Sequence, residues 1–154
     1  MDNINEKTEE NYLVFVVDER KFALSFSDVE IIVTGRKPTP APDFPDYVMG
    51  TIVEMDSTVT VLNLRRRFGY EEKELSDRDC IIITPDIPKL GILCDKAEGF
   101  ITVNSNKIFM PPDTKYEPAA RFIKGQVIND SGDIIYILTP KLIVKPEDED
   151  KILS

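Results

Sequence analysis

Few side chains in this sequence could do covalent chemistry. None of its 154 residues is histidine, which removes the commonest general base, the usual zinc ligand and every nucleophile that depends on an imidazole. Cys80 and Cys94 stand inside the apolar runs Cys80-Ile81-Ile82-Ile83 and Gly91-Ile92-Leu93-Cys94. They read as reduced, buried thiols that behave as small hydrophobes, not as a disulfide or redox pair. Gly35-Arg36-Lys37-Pro38 lacks the spacing and the strand-to-helix setting of a phosphate loop. Glu71, Glu72, Glu74, Asp77 and Asp79 crowd a polar connector after Gly69 and read as a solvated loop, because an acid pair must converge in a cleft. Asn129-Asp130-Ser131 has the form of a glycosylation acceptor, but in a hairpin connection it is turn chemistry. The sequence therefore offers no catalytic set, no metal site and no cofactor site, and the expectation is a protein that is not an enzyme.

Charge narrows the partners. A formal net charge of −9 argues against nucleic acid and anionic membranes, whose binding rests on Lys and Arg neutralising phosphates. The basic cluster Arg65-Arg66-Arg67 reads as a solvated face. The N-terminus, Met1-Asp2-Asn3-Ile4-Asn5-Glu6-Lys7, is polar where a signal peptide turns apolar, and no run is long and apolar enough to span a bilayer. A cytoplasmic protein without membrane insertion is expected. Residues 1–11 and the acidic stretch 145–154 read as frayed or disordered tails around a folded part at 12–144.

The elements that must position any site are short strands. Tyr12 to Val17 and Phe22 to Phe26 form one predicted hairpin. Gly50 to Met55 and Val59 to Leu64, around Asp56-Ser57, form a second, Cys80 to Thr84 and Leu90 to Cys94 a third, and Gln126 to Ile128 and Ile134 to Leu138 a fourth. Ser27-Asp28-Val29-Glu30 has capping-box form and predicts a helical turn or two reaching Ile32 or Val33. Thr139-Pro140 predicts a turn over Lys141 to Val144. Pro38, Pro40, Pro42 and Pro45 predict an extended segment unable to join a central ladder.

A weak internal repeat organises these pieces. An offset of 75 residues lays Tyr47-Val48-Met49-Gly50 on Phe122-Ile123-Lys124-Gly125, and carried forward it lays Val59 on Ile134, Val61 on Tyr136 and Leu62 on Ile137. An offset of 68 lays Phe22-Ala23-Leu24 on Leu90-Gly91-Ile92, and Ile32 on Phe100. Two copies in one order predict two barrels of about five strands each. Met49, Met55, Phe109, Met110, Pro111 and Pro112 are each consistent with core, and as a group with a protein-binding surface.

Tyr12-Leu13-Val14-Phe15, the stretch from Thr39 to Gly50, the run Val59-Thr60-Val61-Leu62-Asn63-Leu64-Arg65-Arg66-Arg67-Phe68-Gly69, Gly91 to Ala97, and Phe122-Ile123-Lys124-Gly125 together resemble the CheW-like domain of bacterial chemotaxis coupling proteins. The resemblance runs from about Tyr12 to Val144. It implies an all-β fold of two SH3-like five-stranded β-barrels sharing a hydrophobic core, with short helical turns, and Gly50 and Gly125 as the glycines of its two structural motifs. It also implies a non-catalytic adaptor whose partners are the regulatory domain of a histidine kinase and the cytoplasmic tip of a chemoreceptor, with recruitment to membrane-associated receptor arrays.

By positional match the resemblance puts Val29, Ile31, Val53, Met55 and Asp56 near the receptor groove. Where the family usually has Asn-Leu-Arg-Gly, this chain has Val53-Glu54-Met55-Asp56, and the acid of the short helix falls at Glu30, one step early. These departures imply a divergent member with altered receptor choice. One alternative is a paralogue that docks a kinase of another sensory or surface-motility pathway without orthodox receptor binding. A remote alternative is a carboxylate-based enzyme or ligand-binding barrel.

Overall fold

A computed structural model describes residues 8–86, 88–110 and 123–153. Pro111, Pro112 and Phe122, like the first seven residues of the expected N-terminal tail, lie outside them. Ten strands form two five-stranded sheets. The strands are β1 (Glu9–Val17), β2 (Arg20–Ser25), β3 (Ile31–Thr34), β4 (Val48–Glu54), β5 (Ser57–Asn63), β6 (Cys80–Ile83), β7 (Lys89–Cys94), β8 (Lys96–Asn104), β9 (Ile123–Ile128) and β10 (Ile134–Leu138). One sheet has the order β8-β1-β2-β10-β9 and the other β3-β6-β7-β5-β4.

The two orders are the same pattern with the halves of the chain exchanged. If β1–β5 and β6–β10 are the repeats, each sheet takes its first two strands from one repeat and the last three from the other. The joints are the parallel pairs β2–β10 and β5–β7, the only parallel pairs among the described strands.

Why these runs are strands follows from what lies on each side. β1 is apolar almost throughout because both faces are covered. Leu13, Phe15 and Val17 enter a central core together with Leu62, Ile82, Ile92 and Leu138 from both sheets, whereas Tyr12 and Val14 enter the interior of the first barrel with Ile135 and Ile137. β6 repeats the device, with Cys80 and Ile82 in the central core and Ile81 and Ile83 inside the second barrel with Val59 and Val61.

Among the described residues, one bridge closes each open sheet. Thr39 exchanges backbone hydrogen bonds with Thr51 (2.8 and 2.9 Å), and Phe109 does so with Gln126 (3.0 and 2.8 Å). Pro38 and Pro40 flank Thr39, so neither of its immediate neighbours has an amide to lend. The two motif glycines stand under these bridges. A Cβ on Gly50 would lie 2.0 Å from the Thr39 carbonyl oxygen, and one on Gly125 would lie 2.6 Å from Ile108 Cγ2.

The structure corrects several expectations. The offset of 75 holds for β4 and β9 but not for the strands that follow. Gly50 faces Val61 while Gly125 faces Ile137, so Val61 corresponds to Ile137 and Leu62 to Leu138. The extra residue is absorbed by the turn: Met55–Asp56 link β4 to β5, but 129–133 link β9 to β10. A one-residue slip moves every side chain to the other face, which is why Val59 is buried while Ile134, its partner at an offset of 75, is exposed.

The predicted helix from Ser27 is also absent. Phe26–Asp28 make one 3-10 turn capped by Ser25, and Ile31–Thr34 is a strand. The Glu30 N–H donates to the Ile83 carbonyl (2.8 Å), so the ladder with β6 overrides the local capping pattern. At the C-terminus, where an acidic tail is expected from 145, a helix α3 (Glu149–Leu153) instead buries Ile152 in the central core. At the other end β1 begins at Glu9, inside the expected tail.

Alanine at the two glycines separates the closures. Gly50→Ala meets backbone at a left-handed φ of 143° and is expected to cost about 3 kcal/mol or more, while Gly125→Ala meets a side-chain methyl that can shift and costs about 1–2 kcal/mol. Urea unfolding of both variants checks the order.

Candidate functional site

The residues picked out by position do not form one cluster. Val53, Met55 and Asp56 share the exposed end of the β4–β5 hairpin, with Val53 64% and Met55 49% exposed. Met55 and Asp56 both adopt positive φ (51° and 60°), as a two-residue turn of the mirror-image type requires for strands with right-handed twist. Glycine or asparagine is the common choice there, and this chain uses a methionine and an aspartate.

Val29 and Ile31 lie elsewhere and are half-buried. Val29 packs against the central core and Ile31 against the interior of the second barrel. Because the segment is extended, Glu30 is displaced by a strand's alternation and not by a helix's 100° step. Its carboxylate pairs with the Lys89 ammonium, whose side chain is only 10% exposed.

Arg36, which sequence reading set aside, belongs to the hairpin end. Its guanidinium pairs with the Glu54 carboxylate and donates to the Val53 carbonyl (2.7 Å). A cation is thus anchored beside Met55 from the segment after β3, and 37% of that side chain is open to solvent. Nothing in the local sequence signals this, because Glu54 lies 18 residues away.

A second set of charges ties the barrels together. Asn63 caps the short helix α1 (Leu64–Phe68), taking the Arg66 N–H, and Gly69 ends it in the left-handed region at φ 81°. Arg65 on α1 reaches Asp18 (3.2 Å) in the β1–β2 turn and Asp95 (2.8 Å) between β7 and β8. Asp95 also accepts the Asp18 N–H at 2.8 Å. Arg67 donates to the Ile143 carbonyl (2.5 Å) in the helix α2 (Pro140–Ile143), and its guanidinium lies 5.3 Å from the centre of the Tyr47 ring. Of the three arginines expected on a solvated face, only Arg66 is exposed, where it pairs with Glu72 (2.7 Å).

Tyr47 holds the C-terminal segment in place. Its hydroxyl donates to Asp148 (2.7 Å) and accepts the Lys145 N–H (3.1 Å). Burial, and then the Asp148 carboxylate, push its pKa up to about 12. Tyr12 is likewise pushed up to about 12, by burial and by its bond to Glu10.

Two carboxyls have pKa values displaced in opposite directions. Asp28 is raised by burial and by nearby Asp86, and Glu10 is lowered chiefly by its bond from Ser25. Glu10 already accepts from Ser25 Oγ (2.6 Å) and the Tyr12 hydroxyl (3.0 Å), so its oxygens serve structure. Among the described residues no group of three or more His, Cys, Asp or Glu could hold a metal ion, and no helix is long and apolar enough to cross a membrane. The arrangement suits contact with other proteins.

Comparison with known proteins agrees. The CheW-like domain family model matches residues 11–147. A chemotaxis protein CheW from Bacillus subtilis is 29% identical over 143 residues, covering 92% of this chain and 90% of that protein. One from Treponema pallidum is 26% identical over 140 residues, covering 88% and 82%. The crystal structure of the scaffolding protein TtCheW from Thermoanaerobacter tengcongensis superposes with a TM-score of 0.76 at 26% identity, over 86% of this chain and 90% of that one.

Two outcomes test the charges at the seam. Arg65→Ala leaves Asp95 without its cation, while Asp18 keeps Arg20 at 2.6 Å, and is expected to cost about 1–2 kcal/mol, with Arg65→Lys intermediate, in chemical denaturation. The raised phenols mean that the folded state holds protons that the unfolded chain releases. Stability is therefore full below about pH 10 and falls as pH rises toward about 12. Tyr47→Phe starts lower but falls less over that range, as denaturant midpoints measured across it show.

Proposed function

Since the chain belongs to the CheW-like domain family, we propose that it is a non-catalytic scaffold that couples a chemoreceptor-type protein to a histidine kinase in chemotaxis signalling. The observation that carries this reading is the match to the scaffold fold over nearly the whole chain. Two barrels locked through one core and one ionic seam form a rigid body. A rigid bridge between two partners transmits a small shift of one to the other.

In the finer reading, the receptor tip meets the end of the β4–β5 hairpin. Val53 and Met55 supply apolar contact and Arg36 supplies the cation. Its position there supports receptor binding although the matching family arginine is replaced by Met55. Asp56 adds a negative charge beside it, which tunes the choice of receptor by repelling acidic tips. Val29 and Ile31 act from behind, fixing β3 and the segment that carries Arg36. The regulatory domain of the kinase docks elsewhere on the barrels, and the protein gathers at receptor arrays through these partners.

Co-sedimentation with a receptor cytoplasmic fragment and with the kinase regulatory domain, followed by kinase autophosphorylation, tests this. The wild type is expected to bring down both and to raise receptor-dependent kinase activity. Arg36→Ala weakens receptor binding about tenfold while leaving kinase docking intact, and Met55→Arg strengthens it. A wild type that binds neither partner overturns the coupling role. An unchanged Arg36→Ala overturns only the placing of the contact, and kinase docking without receptor, recovered by Met55→Arg, assigns the chain to a different sensory pathway.

A further inference from the structure

We propose that Cys80 and Cys94 are a peroxide-responsive thiol pair that closes reversibly into an intrachain disulfide. The two cysteines stand directly opposite one another in the antiparallel β6–β7 pair, and both side chains enter the central core. The Thr84 N–H donates to the Leu90 carbonyl at 2.9 Å. Counting from there in steps of two, Cys80 and Cys94 form a hydrogen-bonded ladder pair. Such a pair sets its Cα atoms about 5.5 Å apart, within the range of about 4.4–6.8 Å that a disulfide spans.

The pair is also unequal, as an attacking and a resolving thiol must be. Cys80 lies at the start of its strand, 7% exposed, while Cys94 is 2% exposed. The bond from the Cys94 thiol pulls the Cys80 pKa down to about 6 against the effect of burial, with the Ala97 N–H helping, whereas that same bond and burial push Cys94 far up. Cys80 is therefore the thiol that ionises first, leaving the Arg78 carbonyl to which it donates at 3.7 Å, and Cys94 keeps its proton.

The chemistry balances with a hydroperoxide as oxidant. The Cys80 sulfur attacks one peroxide oxygen, the O–O bond breaks, and the leaving hydroxide takes a proton to become water. The sulfenic acid on Cys80 is then attacked by the Cys94 sulfur, which gives up its proton as the S–S bond forms and the S–O bond breaks, and a second water leaves. Two thiols lose two electrons and the peroxide gains them. Side chains at a hydrogen-bonded ladder pair stand wider apart than at its neighbours. The disulfide must draw them together, which favours reduction and makes the bond reversible. β7 also carries one of the two parallel joints between the repeats, so oxidation cross-links a strand on which that joint depends.

The test uses the folded full-length protein treated with hydrogen peroxide, with intact mass and free-thiol titration as readouts. The expected product is a monomer lighter by two hydrogen atoms, with both thiols lost and both restored by dithiothreitol. Alkylation of the untreated wild type should strike Cys80 before Cys94, with a rate that rises through about pH 6. In Cys94→Ser, whose hydroxyl can still donate to Cys80 but cannot form the disulfide, dimedone should trap the sulfenic acid on Cys80. Retention of both thiols, oxygen added to Cys80 with the Cys94 thiol intact, or disulfides only between chains would each overturn the proposal.

Discussion

Each barrel takes two strands from one repeat and three from the other, and everything else rests on that exchange. A half-chain has the strands for a barrel in sequence but contributes them to two different sheets, so the parallel joints β2–β10 and β5–β7 can form only when both halves are present. The central core is what the exchange produces. β1, β2, β6 and β7 are each covered on two sides, by a barrel interior and by the shared layer that includes Phe15, Phe22, Leu62, Ile82 and Ile92. Burial on both faces makes these strands apolar throughout, and it couples the stability of one barrel to that of the other.

That coupling suits a scaffold. A protein that relays a small displacement loses the signal if its own halves move, and here the core is supplemented by Arg65 gripping carboxylates on the β1–β2 turn and at the β7–β8 junction. The C-terminal segment closes the same seam through Tyr47 and Ile152. The proposed receptor contact uses one of the barrel ends. At the end of the β4–β5 hairpin, Met55 and Asp56 in the left-handed region, with Arg36 tied to Glu54 and the Val53 carbonyl, set charges of both signs close together.

Much of this was legible in the sequence where the cause is local. β1, β2 and β7 announce themselves through continuous apolar runs, and Gly50 and Gly125 through their place in the repeat, although the reason for them, a closing strap passing overhead, becomes visible only in three dimensions. What could not be read depends on distant partners. The capping pattern at Ser27 is outweighed by a ladder with residues some 50 positions away. Ile152 and Leu153 are two adjacent apolar residues after an acidic stretch and give no periodic signal. Arg65 looks like its neighbours Arg66 and Arg67, because Asp18 and Asp95 lie 47 and 30 residues from it. The one-residue slip between β5 and β10 arises because turn lengths differ, which similarity between short strands does not reveal.

Mutual completion of the two repeats is tested most directly by cutting the chain in the exposed stretch between Glu72 and Lys73 and following each piece, alone and mixed, by circular dichroism and size-exclusion chromatography. The account predicts that neither piece is a folded monomer and that mixing restores a β-rich one-to-one complex with the hydrodynamic size of the intact protein. A stable, folded, monomeric barrel from either piece by itself would contradict it.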